Sequence, residues 1–279
     1  MVQVHPIETN TLSTFRTRHR ILHYAEFTTV QEFLSCCNWA RDHKVRLYIL
    51  GNGSNTLFSS RIVRTLVLRN KLEPRLRDMD SGRMEASSSL PIMALLRHCH
   101  ELGLDSFYYL AAAPATIGGA IAMNAGRGRS YNMTVYDYLE SVSYLEGETI
   151  VTVPAGNIER SYRWTQFTGL TERLIVSAVF QFGRGSYEGD PIADRLAYVK
   201  KTQDLSAANC GSVFRECHDG LQNGLRGLRV GTACFSGKAP NWILNYGNSP
   251  WPIRTLIRIS KMIHWLMRRK AVLELVEVP

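Results

Sequence analysis

Two short stretches carry residue types suited to holding an anion. Gly51-Asn52-Gly53-Ser54-Asn55 interrupts an apolar run that stops at Leu50 and resumes at Leu57. Glycines let a backbone come close to a ligand, successive N–H groups form an anion-binding nest, and Ser54 and Asn55 add side-chain donors. The stretch is not a dinucleotide GxGxxG, because its sixth position is Thr56, and no Gly-Lys-Ser/Thr follows to make a P-loop. An ordinary connecting turn would use the same residue types. Pro114-Ala115-Thr116-Ile117-Gly118-Gly119-Ala120, with Asn124-Ala125-Gly126 shortly after, is the second stretch. Its small side chains either let two backbones pack closely or leave room for a flat ligand. Two amide-rich turns of this kind suggest one extended ligand with a pyrophosphate. His98-Cys99-His100 has metal-ligand types, but it lies in a helical pattern, where residues two apart face different ways. None of the six cysteines (Cys36, Cys37, Cys99, Cys210, Cys217, Cys234) makes a CxxC pair, so reduced thiols and no metal site are expected.

Regular elements must position these turns. Residues 27–43 read as a helix capped by Thr28 or Thr29, with Val30, Phe33, Leu34 and Cys37 at helical spacing. Strands are expected at 46–50, 65–70, 83–89 and 174–183. The spacing predicts a helix over 91–104, with Pro91 in its first turn and Gly103 at its end. Alternation on both sides of Glu146-Gly147 predicts a hairpin. Texture changes near Gly183–Pro191, and the remainder reads as a small domain. It holds the polar turn 209–220, a helix over 252–270 and a final strand over 271–279. No internal repeat is visible. The reading is an α+β protein.

Composition narrows the partners. The chain has 279 residues, 45% of them hydrophobic, and a net charge of +9. That is globular, not disordered, and the basic excess favours anionic partners. The opening MVQVHPIETN lacks a basic-then-apolar signal pattern. The most apolar stretch, 108–123, is broken by Pro114, Gly118 and Gly119 and falls short of the roughly 20 residues of a membrane span. A soluble, intracellular protein is expected. Nucleic acid has only net charge in its favour, with no aromatic-interleaved basic motif. The 252–270 helix carries Arg254, Arg258, Lys261, Arg268, Arg269 and Lys270, and an apolar stripe of Ile253, Leu256, Ile257, Ile263 and Leu266. That stripe could touch a membrane or partner; an ordinary domain helix with a solvated face has the same pattern.

In order and spacing, several motifs together resemble the UDP-N-acetylenolpyruvoylglucosamine reductase family. Asn10-Thr11…Thr14-Phe15 resembles its opening NT…TF, and Gly51–Asn55 its GGGSN. Pro114–Gly119 with Asn124–Gly126 resembles its IPGTVGGA…NAG. Tyr162–Phe167 resembles its YRxSxF, and Cys210–Arg215 its AGSxFK. Gly224–Gly227, Lys238, Asn241–Ile243 and Asn245 resemble its GLKG…KHANFIVN, and Glu277-Val278 its terminal EV.

The resemblance implies a fold and an activity. The fold would be α+β: a two-subdomain FAD-binding fold of the vanillyl-alcohol-oxidase/MurB type over 1–70 and 71–190. A smaller C-terminal α+β substrate domain would occupy 191–270, and strand 271–279 would return to the second subdomain. FAD would be the cofactor, held by Gly51, Asn52, Gly53, Ser54, Asn55, Pro114, Thr116, Gly118, Gly119, Asn124 and Gly126. NADPH would supply hydride to a UDP-sugar, UDP-N-acetylglucosamine enolpyruvate, giving UDP-N-acetylmuramate for peptidoglycan. Ser212 would donate a proton, while Arg163 and Glu277 stabilise the enol-like intermediate. Arg163, Arg215 and Asn241 would bind substrate. The short run from Arg163 to Ser212 resembles the type that lacks a tyrosine-bearing loop. A cytoplasmic monomer is expected, without nucleic acid, metal or stable membrane insertion.

The substrate half departs from the pattern. Glu216-Cys217 stands where the family has Asn-Pro or a similar pair, Ala239 replaces a histidine, Pro279 an arginine and Ala115 a glycine. A glutamate near a diphosphate would repel it. Only about ten residues separate the 210–215 turn from the GLKG-like stretch, too few for the family's stable helix with two turns. Two other readings stay open: a relative with the same flavin chemistry on another acidic or nucleotide-linked substrate, or a flavin-binding protein without turnover.

Overall fold

In the computed structural model, which describes residues 3–279, strands His19–Phe27 and Ile62–Asn70 each start in one folded unit and finish in another. The sequence suggested three consecutive segments. The units are two, each assembled from separated pieces. The first takes Ala25–Asn52 and Val67–Val199; the second takes His5–Tyr24, Gly53–Leu66 and Lys200–Pro279.

The first unit is built on an antiparallel sheet of five strands. Their order is Thr149–Pro154, Leu139–Glu146, Ile175–Gln181, Arg83–Ser87, Leu76–Asp78. The expected hairpin closes at Gly147, whose φ of +63° favours glycine. Alternation sets the faces. Met84, Ala86, Val142, Tyr144, Ala178 and Phe180 are buried in one core with residues of helices α2 (Ile92–Glu101) and α3 (Ile117–Ala122), such as Leu95, Leu96, Ile117 and Ile121. Polar partners sit at the positions between them: Arg83 pairs with Glu140, and Ser177 donates to Glu85 at 3.1 Å. Helix α1 (Val30–Asp42) is capped as its sequence requires. The Thr29 hydroxyl accepts the Glu32 N–H at 3.1 Å, while the Glu32 carboxylate accepts from the Thr28 N–H at 2.7 Å. In α2, Cys99 is buried beside Met84, and burial pushes its thiol up to about 12. Helix α4 (Pro191–Thr202) leads the chain out of this unit.

The second unit centres on Phe15, Leu57, Val213, Phe235, Ile243, Ile253, Leu256 and Leu275. Helix α5 (Asp219–Gly224) and helix α6 (Trp251–Leu266) both belong to it. Two sequence expectations are corrected here. The gap judged too short for a helix contains α5, a single short helix. His218 caps it by accepting the Leu221 N–H at 3.3 Å, and the Gln222 amide donates to Pro240 O at 2.8 Å. Residues 271–279 are two short strands, neither of which joins 71–190. Val272–Leu273 pairs with Phe214–Glu216, and Val276–Val278 runs parallel to Thr56–Phe58. The break lies at Glu274 and Leu275, where the Glu274 N–H turns to Val213 O and Leu275 enters the core.

Candidate active site

Thr116 organises the first unit's share of the expected residues. Its backbone is extended, and its hydroxyl accepts the Gly119 N–H at 3.2 Å, which starts α3. The other amides of the stretch are also engaged: Ile117 donates to Leu90 O, Gly118 to Ser88 O and Ala120 to Thr116 O, all within 2.8–2.9 Å. Residues 117–120 therefore offer no open amide nest, which corrects that part of the sequence reading. They offer close approach instead. A Cβ on Gly118 would lie 2.8 Å from Ser88 Cβ and 3.1 Å from Ser88 O, and one on Gly51 would lie 3.0 Å from Thr116 Oγ1. Pro114 is exposed at the entrance to this turn.

The chain leaves α3 through Asn124, and Arg163 closes over the exit. Arg163 has a φ of +55°, a conformation that costs a side-chain-bearing residue about 1–2 kcal/mol. Its guanidinium donates to Asn124 O at 3.1 Å and to Gly126 O at 2.6 Å, and lies 5.1 Å from the Tyr162 ring centre. Gly126 must be glycine, because a Cβ there would collide with Met133 O. Asn124 Nδ2 donates to Ser161 O at 2.9 Å, and the Thr165 and Thr168 hydroxyls both donate to Ala122 O, at 2.8 and 2.6 Å. Arg163 is thus a held, half-buried group rather than a free surface arginine.

The second unit gathers the rest. Gly53 has a φ of +68°, and a Cβ there would run into Leu12 O. Its carbonyl accepts the Thr14 N–H at 3.2 Å. The Gly53 and Ser54 amides, and that of Asn52 at the end of a first-unit piece, have no acceptor among the described residues, so the 51–55 turn keeps the open N–H groups that 117–120 lack. Cys210 is buried against Ser13 and Thr14, and burial raises its thiol. From Asn55 a hydrogen-bonded path runs to Val213, the residue after Ser212. Asn55 Nδ2 donates to Glu274 O at 3.1 Å, the Glu274 N–H to Val213 O at 2.8 Å, and the Val213 N–H to Asn241 O at 2.8 Å. Asn241 also accepts the Phe214 N–H through Oδ1 at 3.0 Å and donates to Phe214 O through Nδ2 at 2.7 Å. Its amide clamps the turn that carries Ser212. Gly211, at φ +71°, makes that turn, and the Ser212 hydroxyl has no hydrogen bond among the described residues. Arg215 follows, half-buried. Glu277 is exposed in its strand, opposite Leu57.

The structure also brings forward Tyr109, which sequence reading passed over inside an apolar run. Its hydroxyl and Asn124 Oδ1 are buried in the first unit with no hydrogen-bond partner among the described residues. Burial, then the Asp137 charge, push the Tyr109 phenol up, while Arg163 opposes them. Buried polar atoms left open in this way call for a ligand or ordered water. Beside the tightly packed Gly51–Thr116 and Gly118–Ser88 approaches, these buried polar atoms of the first unit fit a flat, polar cofactor such as FAD, and the open amides of the 51–55 turn are by themselves of a kind that binds a diphosphate. Among the described residues no group of three His, Cys, Asp or Glu side chains could hold a metal ion.

Residues 21–153 match the FAD binding domain family. The UDP-N-acetylenolpyruvoylglucosamine reductase of Syntrophotalea carbinolica is 34% identical over 212 residues, 72% of this chain and 68% of that protein. The enzyme of the same name from Aquifex aeolicus is 29% identical over 263 residues, 90% of this chain and 86% of that protein. The crystal structure of the Thermus caldophilus enzyme superposes with a TM-score of 0.79 at 22% identity, covering 100% of both chains, so the fold is shared. By these relationships the chain belongs to the UDP-N-acetylenolpyruvoylglucosamine reductase family.

Proposed function

We propose that this chain is an FAD-dependent reductase that consumes NADPH and converts UDP-N-acetylglucosamine enolpyruvate to UDP-N-acetylmuramate, a peptidoglycan precursor. When bound, FAD supplies the relay that carries hydride from NADPH to the enolpyruvyl double bond. The open amides of 52–54 would bind its diphosphate. Gly51, Thr116, Gly118 and Gly119 would line it as small residues, and Asn124 and Tyr109 would offer it buried polar atoms.

The observation that carries the catalytic reading is Ser212. Its hydroxyl is on a glycine-made turn, the turn is clamped by Asn241, and the hydroxyl is engaged with no other described group. A proton must reach the carbon next to the one that takes hydride, and a positioned hydroxyl delivers it. Arg163 presents a fixed guanidinium to the substrate carboxylate, where negative charge grows as the double bond is reduced. Glu277 shares in stabilising that charge, and Arg215 binds the anionic substrate. The enzyme works in the cytoplasm as a monomer.

One observation favours a second reading. Glu216 is exposed directly after Arg215, where a diphosphate would meet a carboxylate. A relative acting on a different acidic or nucleotide-linked substrate would tolerate it. Steady-state kinetics on the purified yellow protein separates the two. The reductase oxidises NADPH rapidly only when the enolpyruvyl UDP-sugar is present. A flavoprotein whose NADPH oxidation ignores that sugar sinks the substrate assignment.

A further inference from the structure

The far end of α6 carries an exposed apolar cluster that neither the core nor the proposed reaction uses. Of the stripe expected on this helix, Ile253, Leu256 and Ile257 are buried in the second unit's core and Ile263 packs against it, while Leu266 at its far end is exposed. Met262, Trp265 and Met267 are exposed with it, Trp265 at 74% and Leu266 at 63% accessibility. The chain bends back just after them. The Arg268 N–H donates to Trp265 O and the Arg269 N–H to His264 O, and Arg268 takes a φ of +52°. This bend leaves Arg268, Arg269 and Lys270 exposed directly beside the apolar tip, with Lys261 one turn back. Residues 251–270 contain six Lys and Arg and no acid, and the adjacent α5 contributes one, Asp219.

We infer that the tip formed by Met262, Trp265, Leu266 and Met267, rimmed by Lys261, Arg268, Arg269 and Lys270, docks reversibly on an anionic lipid surface. Trp is favoured at a membrane–water interface, and Met and Leu reach into the acyl boundary. The cationic rim complements acidic headgroups. No helix among the described residues is long and apolar enough to cross a membrane, so the contact is with the surface. A second copy of the chain is a poorer occupant, because a two-fold interface would press the same cationic rim against itself. Nucleic acid would satisfy the rim but leave four large apolar side chains against phosphates.

Flotation of the purified protein with vesicles tests this. Vesicles of equal parts phosphatidylglycerol and phosphatidylcholine should carry it at about 0.1 M salt, while pure phosphatidylcholine vesicles should not. Trp265→Ser with Leu266→Ser should weaken partition at least about tenfold. Arg268→Gln, Arg269→Gln and Lys270→Gln together should weaken it about a hundredfold. These side chains are exposed, so the variants keep the fold, which their thermal unfolding checks. Brominated lipid should quench wild-type tryptophan fluorescence, and Trp265→Phe should abolish the quenching while still floating. Trp251, the other exposed tryptophan of α6, is about 21 Å away along the helix. The proposal fails if the protein ignores anionic vesicles, binds neutral ones equally, or binds unchanged with Trp265 and Leu266 replaced, which would leave only diffuse attraction of its net +9 charge. Self-association lost in the Trp265/Leu266 variant, without vesicle binding, would assign the tip to a second copy instead.

Discussion

The roles proposed for Ser212 and Arg163 make different demands on the chemistry, and each can be isolated. In Ser212→Ala, reduction of bound flavin by NADPH should be unchanged within about twofold, while reoxidation by the enolpyruvyl substrate slows by roughly 10²–10⁴. Equal losses in both half-reactions would show that Ser212 is structural. Arg163 holds two carbonyls, Asn124 O and Gly126 O, through two different nitrogens. A lysine has one nitrogen and cannot keep that fork. Arg163→Lys should therefore slow reoxidation by about a hundredfold, with a smaller change in substrate affinity. A variant that binds substrate poorly but turns over at the normal limiting rate would contradict the role. The type of each of these residues was readable from its motif. What held it was not. Nothing in the letters tells that Asn241 spends its amide on Phe214, or that Tyr109 buries a hydroxyl, because both facts arise from residues distant in sequence.

Among the elements, α3 shows how a turn signature misleads. Its glycines suggested free amides, but Thr116 caps a helix and Ser88 and Leu90 accept the remaining N–H groups. The glycines are there for space. Gly118→Ala should cost about 1–3 kcal/mol, since its Cβ would press on Ser88 Cβ and O. Ser88→Gly should recover part of that loss in a double-mutant cycle. Purely additive effects, measured by urea unfolding, would show that Ser88 is not the obstacle. Gly53 faces backbone, so Gly53→Ala should be worse and no side-chain change should rescue it. Long periodic elements such as α1, α2, α6 and the 139–154 hairpin were legible because their own apolar spacing specifies them. Helix α5 and the broken 271–279 strand were not, because a six-residue helix depends on its His218 cap, and the break at Glu274 depends on Val213.

At the scale of the whole molecule, stability should depend on pH through His19. Its ring is buried, with Nδ1 2.6 Å from Ser60 O and Nε2 2.7 Å from Thr17 Oγ1, and burial holds it below its ordinary 6.5 despite the Ser60 bond. The unfolded chain therefore binds the proton more readily than the folded one. The resulting stabilisation is complete above pH about 6.5 and is lost as pH falls from there toward the lower folded value. Urea midpoints should drop between about pH 7.5 and 5, and His19→Gln should flatten that slope. A slope that survives the substitution would locate the proton uptake elsewhere. The fold class was visible in the order of helices and strands. The interleaving of two units was not, since it arises where His19–Phe27 and Ile62–Asn70 carry the chain from one unit to the other.

The central claim is that bound flavin, once reduced by NADPH, is reoxidised by UDP-N-acetylglucosamine enolpyruvate. The direct measurement is anaerobic stopped-flow absorbance of the NADPH-reduced protein mixed with that sugar. The account predicts rapid return of the oxidised flavin spectrum, with one UDP-N-acetylmuramate formed per flavin. Flavin that bleaches with NADPH and stays bleached after the sugar is added would contradict it.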